Sequence, residues 1–107
     1  MTAERRQNII AAISQKAKEI APQGAEVILF GSQARGDARP GSDWDVLILL
    51  DKEKITSKDF DDYSYPFWEL GWDYDEMINA LLFTKKEWYQ NIASPLYENV
   101  TRDGIRL

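Results

Sequence analysis

The chain contains no cysteine and no histidine. The first absence excludes a disulfide framework. Together they exclude a Cys/His zinc site, and they exclude Ser-His-Asp and Cys-His catalysis. Any bound metal must be held by oxygen, which favours magnesium, manganese or calcium. An excess of positive charge is also missing. Lys and Arg number 13 against 18 Asp and Glu, a net charge of −5. That argues against a broad nucleic-acid-binding face, but it leaves room for a small nucleotide held through a metal. No apolar run is long enough to span a membrane. The charged, helix-patterned N-terminus shows no signal peptide. The expected location is the cytoplasm.

What is present suffices for a folded domain. The 107 residues are 44% hydrophobic, which predicts one domain over residues 1–107 with a real core. Four Trp, five Tyr and four Phe are many for this length. Large aromatics serve either a core or an exposed binding face. No repeat and no low-complexity segment interrupts the chain.

Thr2 is placed to cap a first helix, in which Ile9, Ile10, Ile13, Ala17 and Ile20 recur at helical spacing. Pro22 and Gly24 stop it. EVILF, Glu26 to Phe30, is a short apolar run between glycines and reads as a buried strand. Gln33 to Gly36 reads as a turn or two of helix, and DARPG, Asp37 to Gly41, as turn chemistry. Trp44 to Leu50 is a second strand, apolar on both faces and therefore central. Ser57 reads as the cap of a helix carrying Phe60, Tyr63, Phe67 and Leu70. Pro66 predicts a kink or restart within it, and Gly71 its end. Met77 to Phe83 reads as a third strand. Thr84-Lys85-Lys86-Glu87 is a capping box opening a helix with Trp88, Tyr89 and Ile92. A last helix is expected from Pro95 toward Arg102, closed by Gly104. The order α-β-α-β-α-β-α-α predicts a small α/β or α+β domain.

The segment FGSQARGDARPGSDWDVLILL, residues 30 to 50, carries the chemistry. Strand side chains alternate between faces, so Asp43 and Asp45 point to one side, about 7 Å apart along the chain. Two carboxylates so placed clamp a divalent cation, whose charge offsets their repulsion. Gly31 lets a ligand approach the backbone. Ser32 stands at the start of a short helix, where free N–H groups attract phosphate. Phosphate grip plus metal clamp suits phosphoryl or nucleotidyl transfer.

GSQARGDARPGSDWDVLIL resembles the nucleotidyltransferase motif GS-x-A-R-G, a short spacer, then SD-x-D and a hydrophobic run. This is the signature of the minimal nucleotidyltransferases, a branch of the DNA polymerase β-like superfamily. The resemblance implies a nucleotidyltransferase fold, a small mixed sheet flanked by helices with its site at the sheet's mouth. It implies that Gly31 and Ser32 hold the β- and γ-phosphates of an NTP, ATP being expected. Asp43 and Asp45 would bind two magnesium (or manganese) ions. A nucleoside monophosphate, AMP for ATP, would then move to a protein or small-molecule acceptor. Arg35 matches the motif as well, as a phosphate contact or a salt-bridge partner. Ser42 is expected to cap or orient the Asp43 loop beside the nucleotide.

The superfamily also uses a third carboxylate on a later strand. Counting back from the Thr84 cap, its position falls near Asn79, which is neutral and cannot act as a base. Asp73, Asp75 and Glu76 are the nearest acids. Asp75 shares strand parity with Asn79 if the strand begins early, which makes it a candidate catalytic residue. The alternative is that all three acids belong to a solvated loop. Tyr63, Tyr65, Phe67, Trp68, Trp72 and Tyr74 crowd the preceding stretch, for core packing, for stacking an adenine or for facing a partner protein. The resemblance implies a helical HEPN-type partner, toward which such proteins act as antitoxins, some by transferring AMP to a partner tyrosine. A catalytically weak form neutralising that partner by contact is the competing expectation.

Overall fold

A computed structural model describes residues 1–107. Four strands form one mixed sheet in the order β3-β2-β1-β4. β1 (Glu26–Phe30) and β2 (Trp44–Leu50) are antiparallel, with Phe30 opposite Asp45. β2 and β3 (Ile78–Thr84) are parallel, with Asp45 opposite Asn79. β2 thus has a neighbour on each side and is buried along almost its whole length, as its two-faced apolar pattern requires.

Residue parity sorts the core into two layers. Val27, Leu29, Val46, Ile48 and Ile78 point to one face, where Ile9, Ile13 and Ala17 of α1 (Ala3–Ile20) and Phe67 of α4 (Tyr65–Tyr74) cover them. Ile28, Phe30, Leu47 and Leu49 point to the other, against Trp88 of α5 (Lys85–Gln90) and Val100 of α6 (Pro95–Asp103). Each such aliphatic side chain contributes about 1.5–3 kcal/mol by leaving water. α1 begins as expected, with Thr2 Oγ1 accepting from the Arg5 N–H at 3.0 Å. The Thr84–Glu87 capping box is present in both directions. No helix is long and apolar enough to cross a membrane.

Several local expectations are corrected. The helix after β2 is capped by Thr56, one residue before Ser57, because Asp59 then completes a capping box with it. That box opens α3 (Ser57–Asp59), and a π-helical turn over Phe60–Ser64 follows before α4. A proline ring collides with the carbonyl four residues back. Widening the helix just before Pro66 accommodates it without a break. The turn also brings Ser64 Oγ to donate to the Ala80 carbonyl at 2.8 Å. Gly71 does not end α4. The helix runs to Tyr74, and Gly71 is needed because a Cβ there would lie 2.3 Å from the Glu76 carbonyl oxygen. β3 starts at Ile78 rather than Met77. After Gly104 the chain forms β4 (Ile105–Arg106), antiparallel to β1, which two residues carry too little pattern to announce.

Candidate active site

The site lies where the C-terminal end of β1 meets the N-terminal ends of β2 and β3. Phe30, Asp45 and Asn79 stand side by side in the ladders, so their side chains share one face of the sheet. Asp43, one residue before β2, is exposed, whereas Asp45 is half-buried. Burial, and secondly the charge of Asp43, raise the Asp45 carboxyl above the ordinary carboxylate value. The pair is therefore short of positive charge, which a divalent cation would supply.

Gly31 makes the approach possible. Its φ is +79°, and a Cβ at this position would lie 2.6 Å from Asp45 Oδ2. The Asp45 carboxylate thus sits directly over the backbone where α2 (Ser32–Arg35) begins. The first N–H groups of a helix have no partner within it, and here they flank the two-aspartate pair.

A buried residue that the sequence reading did not single out ties these halves together. Gln33, 4% exposed, donates from Nε2 to the Ser42 carbonyl at 3.2 Å. Ser42 in turn accepts on Oγ from the Arg39 N–H at 3.1 Å. Ser42 therefore closes the loop that leads into Asp43. Arg6 of α1 holds α2 from below, donating to the Gln33 carbonyl at 2.7 Å. No pattern marks a lone glutamine in a four-residue helix as buried, so only the packing exposes this role. Arg35 adopts the salt-bridge geometry of its two expected roles, with Asp37 at 3.2 Å and Asp103 at 3.6 Å.

Asn79, where the sequence count put the third carboxylate, stands opposite Asp45 in the β2–β3 ladder. Its Nδ2 donates to Asp43 Oδ2 at 2.9 Å, which leaves its carbonyl oxygen as a neutral donor to a metal. Asp75 does not share a strand with it. Because α4 continues through Gly71, Asp75 becomes the helix cap, with φ +53°, and the parity argument does not apply. Asp73 lies on the exposed side of α4. Asp75 and Glu76 instead line a cleft of about 350 Å³ that also includes Asp43, Trp68 and Trp72. No three acidic side chains form a metal-holding group. What Asp43, Asp45 and Asn79 could offer a metal is two carboxylates and one amide oxygen, hard donors of the kind magnesium or manganese takes.

No curated protein matches the chain. Among solved structures, it is similar to a toxin-antitoxin crystallised with AMP-PNP, with a TM-score of 0.61 and 17% identity, over 90% of this chain and 69% of that one. It is also similar to a protein from Sulfolobus solfataricus described as a candidate nucleotidyltransferase. That TM-score is 0.57 at 19% identity, over 96% of this chain and 82% of the other. Both likenesses support the nucleotidyltransferase fold of a mixed sheet flanked by helices. The description of the nucleotidyltransferase domain matches residues 10–102, and the chain belongs to that family.

Proposed function

We propose that the protein transfers a nucleoside monophosphate, AMP from ATP, to a hydroxyl of a protein or small-molecule acceptor in the cytoplasm. The observation that carries this reading is the contact of the Asp45 carboxylate with the Cβ-free face of Gly31. It supports a triphosphate held between the start of α2 and the aspartate pair. In this reading Gly31 and Ser32 receive the β- and γ-phosphates through the backbone. Arg35 and Ser42 stand behind them, Arg35 as a nearby positive charge and Ser42 as the hinge of the Asp43 loop. Asp43 and Asp45 would hold two magnesium ions, with the Asn79 carbonyl completing the set. Bound magnesium would neutralise charge on the phosphates and on the leaving pyrophosphate. The acceptor oxygen bonds to the α-phosphorus, the bond from that phosphorus to the bridging oxygen breaks, and pyrophosphate leaves. The hydroxyl proton passes to water, since Asn79 cannot take it. Asp75, which lines the same cleft as Asp43, would orient the acceptor rather than hold metal.

Incubation with magnesium, labelled ATP and candidate acceptors tests the reading. Transfer is expected, and it is expected to vanish in Asp43→Ala and in Asp45→Ala. Absence of both ATP binding and transfer sinks it.

Asn79 favours one second reading, an antitoxin-like protein with little turnover that neutralises a helical HEPN-type partner by contact. It predicts a complex that survives Asp43→Asn combined with Asp45→Asn. Dependence of the complex on intact aspartates and ATP counts against it.

A further inference from the structure

We propose that the cleft between α4 and the Asp43 loop binds an organic cation, an ammonium or guanidinium on a short carbon stem, and that the acceptor carries this cation. The assignment to the acceptor rests on the transferase reading above. The cation site itself does not.

The cleft has an unusual lining. Trp68 and Trp72 form its apolar side together with Met77. Trp72 is 62% exposed and Trp68 37%. Trp72 is held edge-on by Tyr65, with ring centroids 6.4 Å apart. Packing of the fold therefore leaves most of Trp72 and about a third of Trp68 uncovered. Asp43, Asp75 and Glu76 form the polar side, and no basic residue lines the cleft. Of the three carboxylates only Glu76 has a basic neighbour, Arg5 at 3.9 Å. Asp43 has only the amide of Asn79, and Asp75 has no ionic partner. The nearby arginines lie elsewhere. A second cleft, which shares Gly41 and Glu76 with the first, contains Arg5 and Arg39. Charge is thus segregated between two neighbouring clefts.

A cation over an indole face, with carboxylates around it, gains from both the ring quadrupole and the charges. An anion gains from neither. A neutral nucleobase gains only stacking. The cleft also shares Asp43 with the aspartate pair, while neither Gly31 nor Ser32 lines it. A molecule anchored there reaches the reaction centre without competing for the phosphate cradle. The C-terminal cap of α4 places Asp75 at the cleft. The Glu76 N–H donates to the Gly71 carbonyl at 2.9 Å, folding Asp75 back over the end of α4.

The test uses choline, its neutral isostere 3,3-dimethylbutan-1-ol, and adenosine, each titrated into the full chain without ATP or metal. Binding is read from the indole N–H resonances. Choline is expected to shift Trp68 and Trp72 saturably, and the isostere to bind at least about fivefold more weakly. Trp72→Leu and Asp75→Asn should each weaken choline about two- to fivefold. Both residues are exposed, and unchanged resonances of buried Trp44 and Trp88 report that the fold is retained. Equal binding of choline and isostere, a preference for adenosine, or no saturable shift overturns the cation site, whether or not ATP is turned over. Choline binding without any transfer from ATP keeps the cation site and overturns its assignment to the acceptor.

Discussion

Asn79 faces Asp45 across the β2–β3 ladder and donates its amide to Asp43 at 2.9 Å. One neutral residue thus touches both members of the aspartate pair's neighbourhood, where the superfamily resemblance implies a carboxylate. Replacing it, Asn79→Asp, adds an anionic ligand. Manganese affinity, read by electron paramagnetic resonance, should rise about tenfold. The metal-free protein should lose stability in urea, because three carboxylates then crowd one face. Unchanged affinity would reject the placement of the metal beside Asn79.

Gly31→Ala should fail for two separate reasons. Its φ of +79° is costly for any residue with a Cβ, and the new methyl would meet Asp45 Oδ2 at 2.6 Å. The backbone cost alone is about 1–3 kcal/mol, since φ +79° with ψ −164° is a region almost confined to glycine. Urea denaturation should register at least that loss. Gly36→Ala is the control, since φ is +85° there too but nothing lies within 4 Å of its Cβ. The excess loss at Gly31 combines the contact with Asp45 and its rarer backbone, ψ −164° against +13° at Gly36.

Asp45 sets a pH dependence whose sign follows from its raised carboxyl. Between the unfolded and the folded value the native state binds more protons. Stability therefore falls as pH rises through that window, and the full penalty remains above the folded value. In metal-free protein, Asp45→Asn should raise Tm at neutral pH and leave it nearly unchanged in acid. Adding magnesium should raise the Tm of the wild type and not that of the variant. A variant less stable than wild type without metal would contradict the repulsion.

Gln33→Leu removes the donor to the Ser42 carbonyl. A buried acceptor left without its partner costs about 1–3 kcal/mol. The loop that delivers Asp43 should also loosen, weakening manganese binding. Thr56→Ala, which removes the cap of a helix remote from this loop, should cost about 1 kcal/mol and leave metal binding intact. Similar metal affinities in both variants would show that Gln33 only stabilises the fold.

Asp59 supplies an acid-side signature independent of the site. The hydrogen bond from Lys52, above all, holds its carboxyl below the ordinary value. Its contribution is present above the unfolded value and is lost as pH falls through the folded one. Wild type should therefore lose part of its stability in acid that Asp59→Asn lacks at every pH. Parallel pH–stability curves for the two proteins would remove Asp59 from this role.

The strands and most helices could be read directly because their causes are local. Apolar alternation, a run of Val, Ile and Leu, and caps such as Thr2 and Thr84 act over a few residues. The pairing of Asp43 with Asp45 was legible for the same reason, since strand parity is a property of the chain alone. Arg35 was legible only as a choice between two roles; Asp37, two residues on, and Asp103, 68 residues away in the chain, both engage it.

The remainder was decided by contacts between distant segments. Whether α4 stops at Gly71 depends on the Glu76 carbonyl that packs against it, and with that stop went the placement of Asp75. The burial of Gln33 depends on the Ser42 loop and on Arg6 arriving from α1. β4 exists because β1 offers it an open edge. Sequence alone determined which functional groups the segment from Gly31 to Asp45 carries and how they are spaced, since both are properties of the chain. Tertiary structure decided that Asn79, not Asp75, stands beside the aspartates, because the register between β2 and β3 is set by burying two apolar faces at once.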